Sequence, residues 1–366
     1  MYGGTIRTAE ACFCGCISGL GELVSWLWHS EGADMNIKNG RGHSLLFLAS
    51  GFGTTWIMKC ILAREADLDI NEVCGTVTAL FAAVNSGILE HAALLLDRGA
   101  EVNLTLDTCL LFSTALEGAA YHGYLDMATL LLDRGADITL TSSSDYRTAP
   151  SVVADEEHLE MDQDSDINLK FASKYNTALG AAAAKGHLGM ALLLLDRGAD
   201  INLIFDGEYG TALGAAAACG ELEMASLLLD RGADINLTFA SKYGTALGAA
   251  IDHRELEMAS LLLDRGADIN LTFGGRYGTA LCVAAVHRQL AMVSLLLDRG
   301  ADINLTIDGE YGTALGAATA QGHPDMVLLL LDRGADINIT FDGEYGSALA
   351  AAAMGIKPEL VSLLLD

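Results

Sequence analysis

Hydrophobic and polar positions recur along this chain with a fixed spacing. The phrase LLLDRGADIN stands at residues 193–202, 227–236, 261–270, 295–304 and 329–338, with looser copies at 94–103 and 130–139. Its aspartates, Asp196, Asp230, Asp264, Asp298, Asp332 and Asp366, step by 34 residues each time. A constant period of that length predicts a stack of small units, each burying its apolar face on the next. Three consecutive leucines at helical pitch bury a broad face, at roughly 1.5–3 kcal/mol for each fully buried leucine. Asp-Arg returns the chain to water, and the following glycine suits the left-handed conformation that ends a helix.

Residues 205–238 serve as the reference unit. Thr211 is placed to cap a first helix over an alanine run that Gly220 ends. Glu221 and Glu223 open a second helix, where carboxylates suit the dipole. Leu222, Met224, Ala225, Leu227, Leu228 and Leu229 form its buried side. The rest is a polar-tipped projecting loop. Capping hydroxyls recur at Ser44, Thr78, Thr114, Thr148, Thr177, Thr211, Thr245, Thr279, Thr313 and Ser347. With an irregular first unit this makes about eleven repeats.

The unit resembles the ankyrin repeat over almost the whole chain. The family phrase T-P-L-H-x-A-A stands here as TALGAAA at 211–217, and G-A-D-V-N as GADIN at 232–236. Alanine replaces the family proline, and Gly180, Gly214, Gly248 and Gly316 replace its histidine. That histidine helps tie neighbouring loops in the family, so its network lacks a member here. The resemblance implies an all-α solenoid of helix-turn-helix units with projecting loop or β-hairpin fingers. The wording is similar to fungal ankyrin arrays, often the sensor portion of larger immune-type or regulatory proteins.

The regular frame breaks in one place. Residues 149–169 lack the leucine phrase, and 155–166 carry seven acids and no base, too little apolar surface for a second helix. The expected organisation is N-terminal repeats over 1–140, a degenerate acidic loop over 141–169, and near-identical repeats over 170–366. Asp162, Asp164 and Asp166 begin like a calcium loop, but Ile167 stands where glycine is required. The chain stops at Asp366 directly after another leucine triplet, without a polar closing unit. That open end is a candidate for end-to-end contact.

Composition narrows the function. A net charge of −27 opposes binding to nucleic acid or anionic membranes and leaves room for partners with basic segments. Residues 11–28 are apolar, but Glu22 and three glycines interrupt them, so no leader or membrane helix is expected. The eight cysteines lack a paired framework, which points to a reducing intracellular setting, cytoplasmic or nuclear. No phosphate loop, nucleophile elbow or zinc-type motif occurs. The histidines come one per repeat, spread rather than gathered. No cofactor and no catalysis are expected.

In a near-constant frame, departures mark recognition. They gather at the end of the first helix (Tyr121, His122, Lys185, Asp252, His253, His287, Gln321) and at the loop tips. The tips read acidic, basic, basic, then acidic: Asp206 and Glu208, Lys242, Arg276, Asp308 and Glu310, Asp342 and Glu344, with Lys174 before them. Beside them runs a tyrosine column, Tyr175, Tyr209, Tyr243, Tyr277, Tyr311 and Tyr345, which either packs finger against finger or anchors a partner. In the ankyrin arrangement both sets line one concave groove. The expected function is a non-catalytic scaffold gripping another protein there. The alternative is an accessory or enzymatic protein of small-molecule metabolism that uses the groove as a ligand surface.

Overall fold

The computed structural model describes residues 38–39, 42–52, 55–64, 68–74, 77–105, 113–140, 177–205, 209–240, 243–274, 277–307, 311–342, 345–355 and 357–365. These carry eighteen helices in inner–outer pairs. The pairs are α1 (Leu45–Phe52) with α2 (Thr55–Arg64), α3 (Ala79–Asn85) with α4 (Leu89–Asp97), and α5 (Ala115–His122) with α6 (Leu125–Asp133). Next come α7 (Ala178–Ala184) with α8 (Leu188–Asp196), α9 (Ala212–Ala218) with α10 (Leu222–Asp230), and α11 (Ala246–Asp252) with α12 (Leu256–Asp264). The last are α13 (Ala280–Val286) with α14 (Leu290–Asp298), α15 (Ala314–Gln321) with α16 (Pro324–Asp332), and α17 (Ala348–Met354) with α18 (Pro358–Leu365).

Two compact units result. The first holds α1 to α6 together with nearly all of α8, and the second holds α9 to α18 with most of α7. Within the first, α1 packs on α3 and α3 on α5. Within the second, α9, α11, α13, α15 and α17 pack in that order, each with its outer helix against it. The degenerate segment expected over 141–169 and the irregular first repeat lie outside the described residues.

The start of each inner helix is set by one hydroxyl. Thr211, in extended backbone, accepts from the Gly214 N–H, and Thr245, Thr279, Thr313 and Ser347 repeat the device. Every residue of α9 is buried, because alanine and glycine let neighbouring inner helices approach closely. In α10 only Met224, Ala225 and Leu228 are fully buried. Leu222, Leu227 and Leu229, expected on that face, are half-buried: a helix turns 100° per residue, so only the middle leucine of a triplet points straight inward.

The fingers of the second unit close through a backbone bond such as Phe239 N–H to Gly244 O at 2.9 Å. Among the described residues β-type pairing is limited to isolated antiparallel bridges, Lys38 with Ser44, Cys74 with Val77 and Thr340 with Ser347, and no strand forms. Phenylalanine fixes how one finger meets the next. A Cβ at Gly210, which has φ +66°, would stand 2.1 Å from the Phe239 ring, and Gly244 relates to Phe273 in the same way. Only glycine fits both the backbone and the space.

Two exposed ladders join successive repeats. Asn202 Oδ1 accepts from the Asp234 N–H at 2.8 Å, and Asn236, Asn270 and Asn304 do the same for Asp268, Asp302 and Asp336. Arg134, Arg265, Arg299 and Arg333 each pair with the aspartate of the preceding leucine phrase, Asp97, Asp230, Asp264 and Asp298, at 2.6–2.9 Å. The loops are thus tied by asparagine where the family histidine is missing.

Candidate protein-interaction surface

The surface to consider is the row of inner-helix ends in the second unit. α9 ends at Cys219, α11 at Asp252 and His253, α13 at Val286 and His287, α15 at Gln321. Lys185 and Gln321 are exposed, while Cys219, Asp252, His253 and His287 are half-buried. The frame of alanines behind them is fully buried. At these helix ends the departures therefore sit where side chains reach solvent.

Three finger tyrosines, Tyr243, Tyr277 and Tyr311, reach the residue ten positions on, at the end of their own inner helix. The Tyr243 hydroxyl lies 3.1 Å from His253 Nε2, and Gln321 Nε2 donates to the Tyr311 hydroxyl at 3.0 Å. The Tyr277 and His287 rings meet edge-on at 5.6 Å. Tyr209 stacks on Tyr243 at 6.1 Å and also touches His253; Tyr311 stacks on Tyr345 at 6.4 Å. Tyr209, Tyr243, Tyr277 and Tyr311 are buried and Tyr345 is half-buried. The four buried rings pack within the protein and form a floor, the first of the two arrangements the column allows. Burial costs the phenol nothing here, since its hydroxyl keeps a partner.

Asp252 and His287 join neighbouring repeats. His287 Nε2 is 2.7 Å from Asp252 Oδ1, both atoms are shielded from water, and the angle falls outside a hydrogen bond. His323 Nε2 similarly lies 3.1 Å from Val286 O, and His122 Nε2 3.0 Å from Asn85 Oδ1. His122, His287 and His323 are thus ties between adjacent repeats. No residue signal within one repeat reveals this, because each partner lies about one period away.

In the first unit Tyr121 and His122 stand at the end of α5, with rings edge-on at 5.3 Å. Lys174, Tyr175, Asp206, Glu208, Lys242, Arg276, Asp308, Glu310 and Glu344 lie outside the described residues; Asp342 is described and exposed. Cys60, Cys74, Cys219 and Cys282 are free thiols, and burial pushes Cys282 up to about 11, so it is no nucleophile near neutral pH. Among the described residues no three His, Cys, Asp or Glu side chains converge as a metal ion requires. No described helix is long and apolar enough to cross a membrane.

A family model described as "Ankyrin repeats (3 copies)" matches residues 12–105, 156–239, 181–273, 238–307 and 273–341, and a single "Ankyrin repeat" model matches 113–143. The chain belongs to the ankyrin repeat family. The ankyrin repeat domain of human ASB11 superposes with a TM-score of 0.52 at 24% identity, covering 71% of this chain and 99% of that domain. That likeness is one of fold. No curated protein matches. Ankyrin repeats are in general protein-interaction modules, typically non-catalytic scaffolds.

Proposed function

We propose that this ankyrin protein is a non-catalytic scaffold that holds a partner protein along the inner-helix ends of its second unit. The contacts are Lys185, His253, His287 and Gln321, joined by the charged residues Lys242 and Arg276 of the finger sequences. One observation carries this reading: at the inner-helix ends the residues that vary from repeat to repeat, Lys185, Cys219, Asp252, His253, His287 and Gln321, are left half or fully exposed beside a floor of buried tyrosines. Extended surfaces built this way suit a chain-like partner. Catalysis on the same surface is disfavoured by geometry, because His253 and His287 are each engaged by their own neighbours and stand one repeat apart.

The test is affinity capture from the native cell with the wild-type chain and with a Lys242→Glu, Arg276→Glu, Gln321→Ala variant in parallel. A partner retained by the first and lost by the second, at unchanged melting temperature, supports the scaffold. Equal capture by both would count against this surface.

A further inference from the structure

We infer that Arg254, at the turn between α11 and α12, is a docking point for an acidic side chain of a partner protein; this goes beyond the groove reading and does not depend on it. In sister repeats this position is glycine in the left-handed region: Gly186 at φ +65°, Gly220 at φ +72° and Gly322 at φ +80°. Only Arg254 (φ 66°) and Arg288 (φ 54°) hold that conformation without being glycine, among the described residues. An L side chain there is strained.

Arg288 gains a partner in that conformation. Its guanidinium grips Asp325, at the start of the next outer helix, with Nε 2.9 Å from Oδ2 and Nη2 2.9 Å from the same oxygen. The pair holds the Asp325 carboxyl below its usual range. One repeat earlier the register sets Ala291 opposite Arg254, where its sisters have Glu223, Glu257 or Asp325. Arg254 is exposed, and among the described residues of the second unit it is the one Lys or Arg whose side chain has neither an ion pair nor a hydrogen bond. The intramolecular pair has kept its cation and lost its carboxylate.

Apolar surface accompanies the open cation. Leu256, two residues along, is 42% exposed, and Leu290, beside Ala291, is 38% exposed. A partner carboxylate flanked by an aliphatic residue fits this combination by charge and by hydrophobicity. On a chain of net charge −27, the surrounding field would repel such a ligand unless a local cation received it.

The probe is a fluorescein-labelled peptide of alternating Leu and Glu, with its Leu/Lys counterpart as control, titrated by anisotropy at low salt into the full chain. Three proteins are compared: wild type, Arg254→Gly and Ala291→Glu. The last supplies the missing carboxylate internally and so occupies the arginine without removing it. The inference expects the acidic peptide to bind wild type about ten-fold more tightly than either variant, as for one lost charge-assisted bond. Both variants should melt no lower than wild type. Equal affinity for all three, no binding of the acidic peptide, or preference for the lysine peptide would each overturn it.

Discussion

Glu117 is the residue that departs furthest from its place in the repeat. Sister repeats put glycine there, yet this carboxylate is fully buried in the first turn of α5, where Oε2 accepts from the Ser113 N–H at 2.9 Å and its hydroxyl at 2.8 Å while Oε1 has no partner. Burial raises its carboxyl above the ordinary range, against the opposing bonds from Ser113. The folded chain therefore binds more protons than the unfolded one between about 4.3, the free glutamate value, and the raised value. Stability from this group is full below that window and falls as pH rises through it. Glu117→Gln removes the penalty. It should melt higher than wild type near pH 7 and level with it near pH 4; a difference independent of pH would refute the assignment. Gly316 offers a second residue-scale test. A Cβ there would stand 2.3 Å from the Tyr311 carbonyl oxygen and 3.0 Å from the Phe341 ring, and only the second contact can be relieved by a change at 341. In the one repeat where this site is Cys282, the facing aromatic is replaced by Ile307. Gly316→Cys should cost about 1–3 kcal/mol as overpacking, and adding Phe341→Ile should restore part of it. Strictly additive losses in urea denaturation would show that the two positions are uncoupled.

At the scale of single elements, caps outweigh surface ion pairs. Thr245 is buried and its hydroxyl accepts from the Gly248 N–H at 3.0 Å. Thr245→Ala leaves that donor unpaired at the start of α11 and should cost about 1 kcal/mol, while Thr245→Ser costs less. Arg265→Ala breaks a pair whose side chains are 37% and 67% exposed. It should cost under about 1 kcal/mol at low salt and almost nothing at high salt. Urea titrations of both variants at two salt concentrations would reveal the reverse order if it held. The same contrast explains what the chain's pattern disclosed in advance. Helix starts at Thr211 and Thr245 and left-handed stops at Gly220 and Gly232 depend on residues within one turn, so the repeat spelled them out. The Asn–Asp ladder, the Asp252–His287 contact and the burial of Tyr243 depend on groups 32 to 35 residues away or on the packing of three successive fingers. Nothing local distinguishes a stacked tyrosine from a presented one, and so the chain's pattern leaves both readings of the column open until the packing of successive fingers is known.

At the scale of the whole molecule, stability is a chain of local dependencies. Every substantial helix–helix contact among the described residues lies within one repeat or between adjacent repeats. Consequently a loss in one repeat reaches the others only through its flanking seams, as in a one-dimensional array. Leu262 is completely buried in α12, in the middle of the second unit. Leu262→Ala removes its transfer energy and leaves a cavity, about 2–5 kcal/mol together. The repeat it serves also supplies seams to α9 and α13 through α11. Hydrogen exchange should therefore quicken most in α11 and α12 and less in α9, α10, α13 and α14. Helices α3 to α6 of the first unit should keep their protection. Urea unfolding should broaden or divide rather than shift as one step, because the weakened centre no longer couples its two sides. Uniform acceleration of exchange in every helix, with a single transition displaced intact, would mean that the repeats share one cooperative core, which the nearest-neighbour packing does not provide.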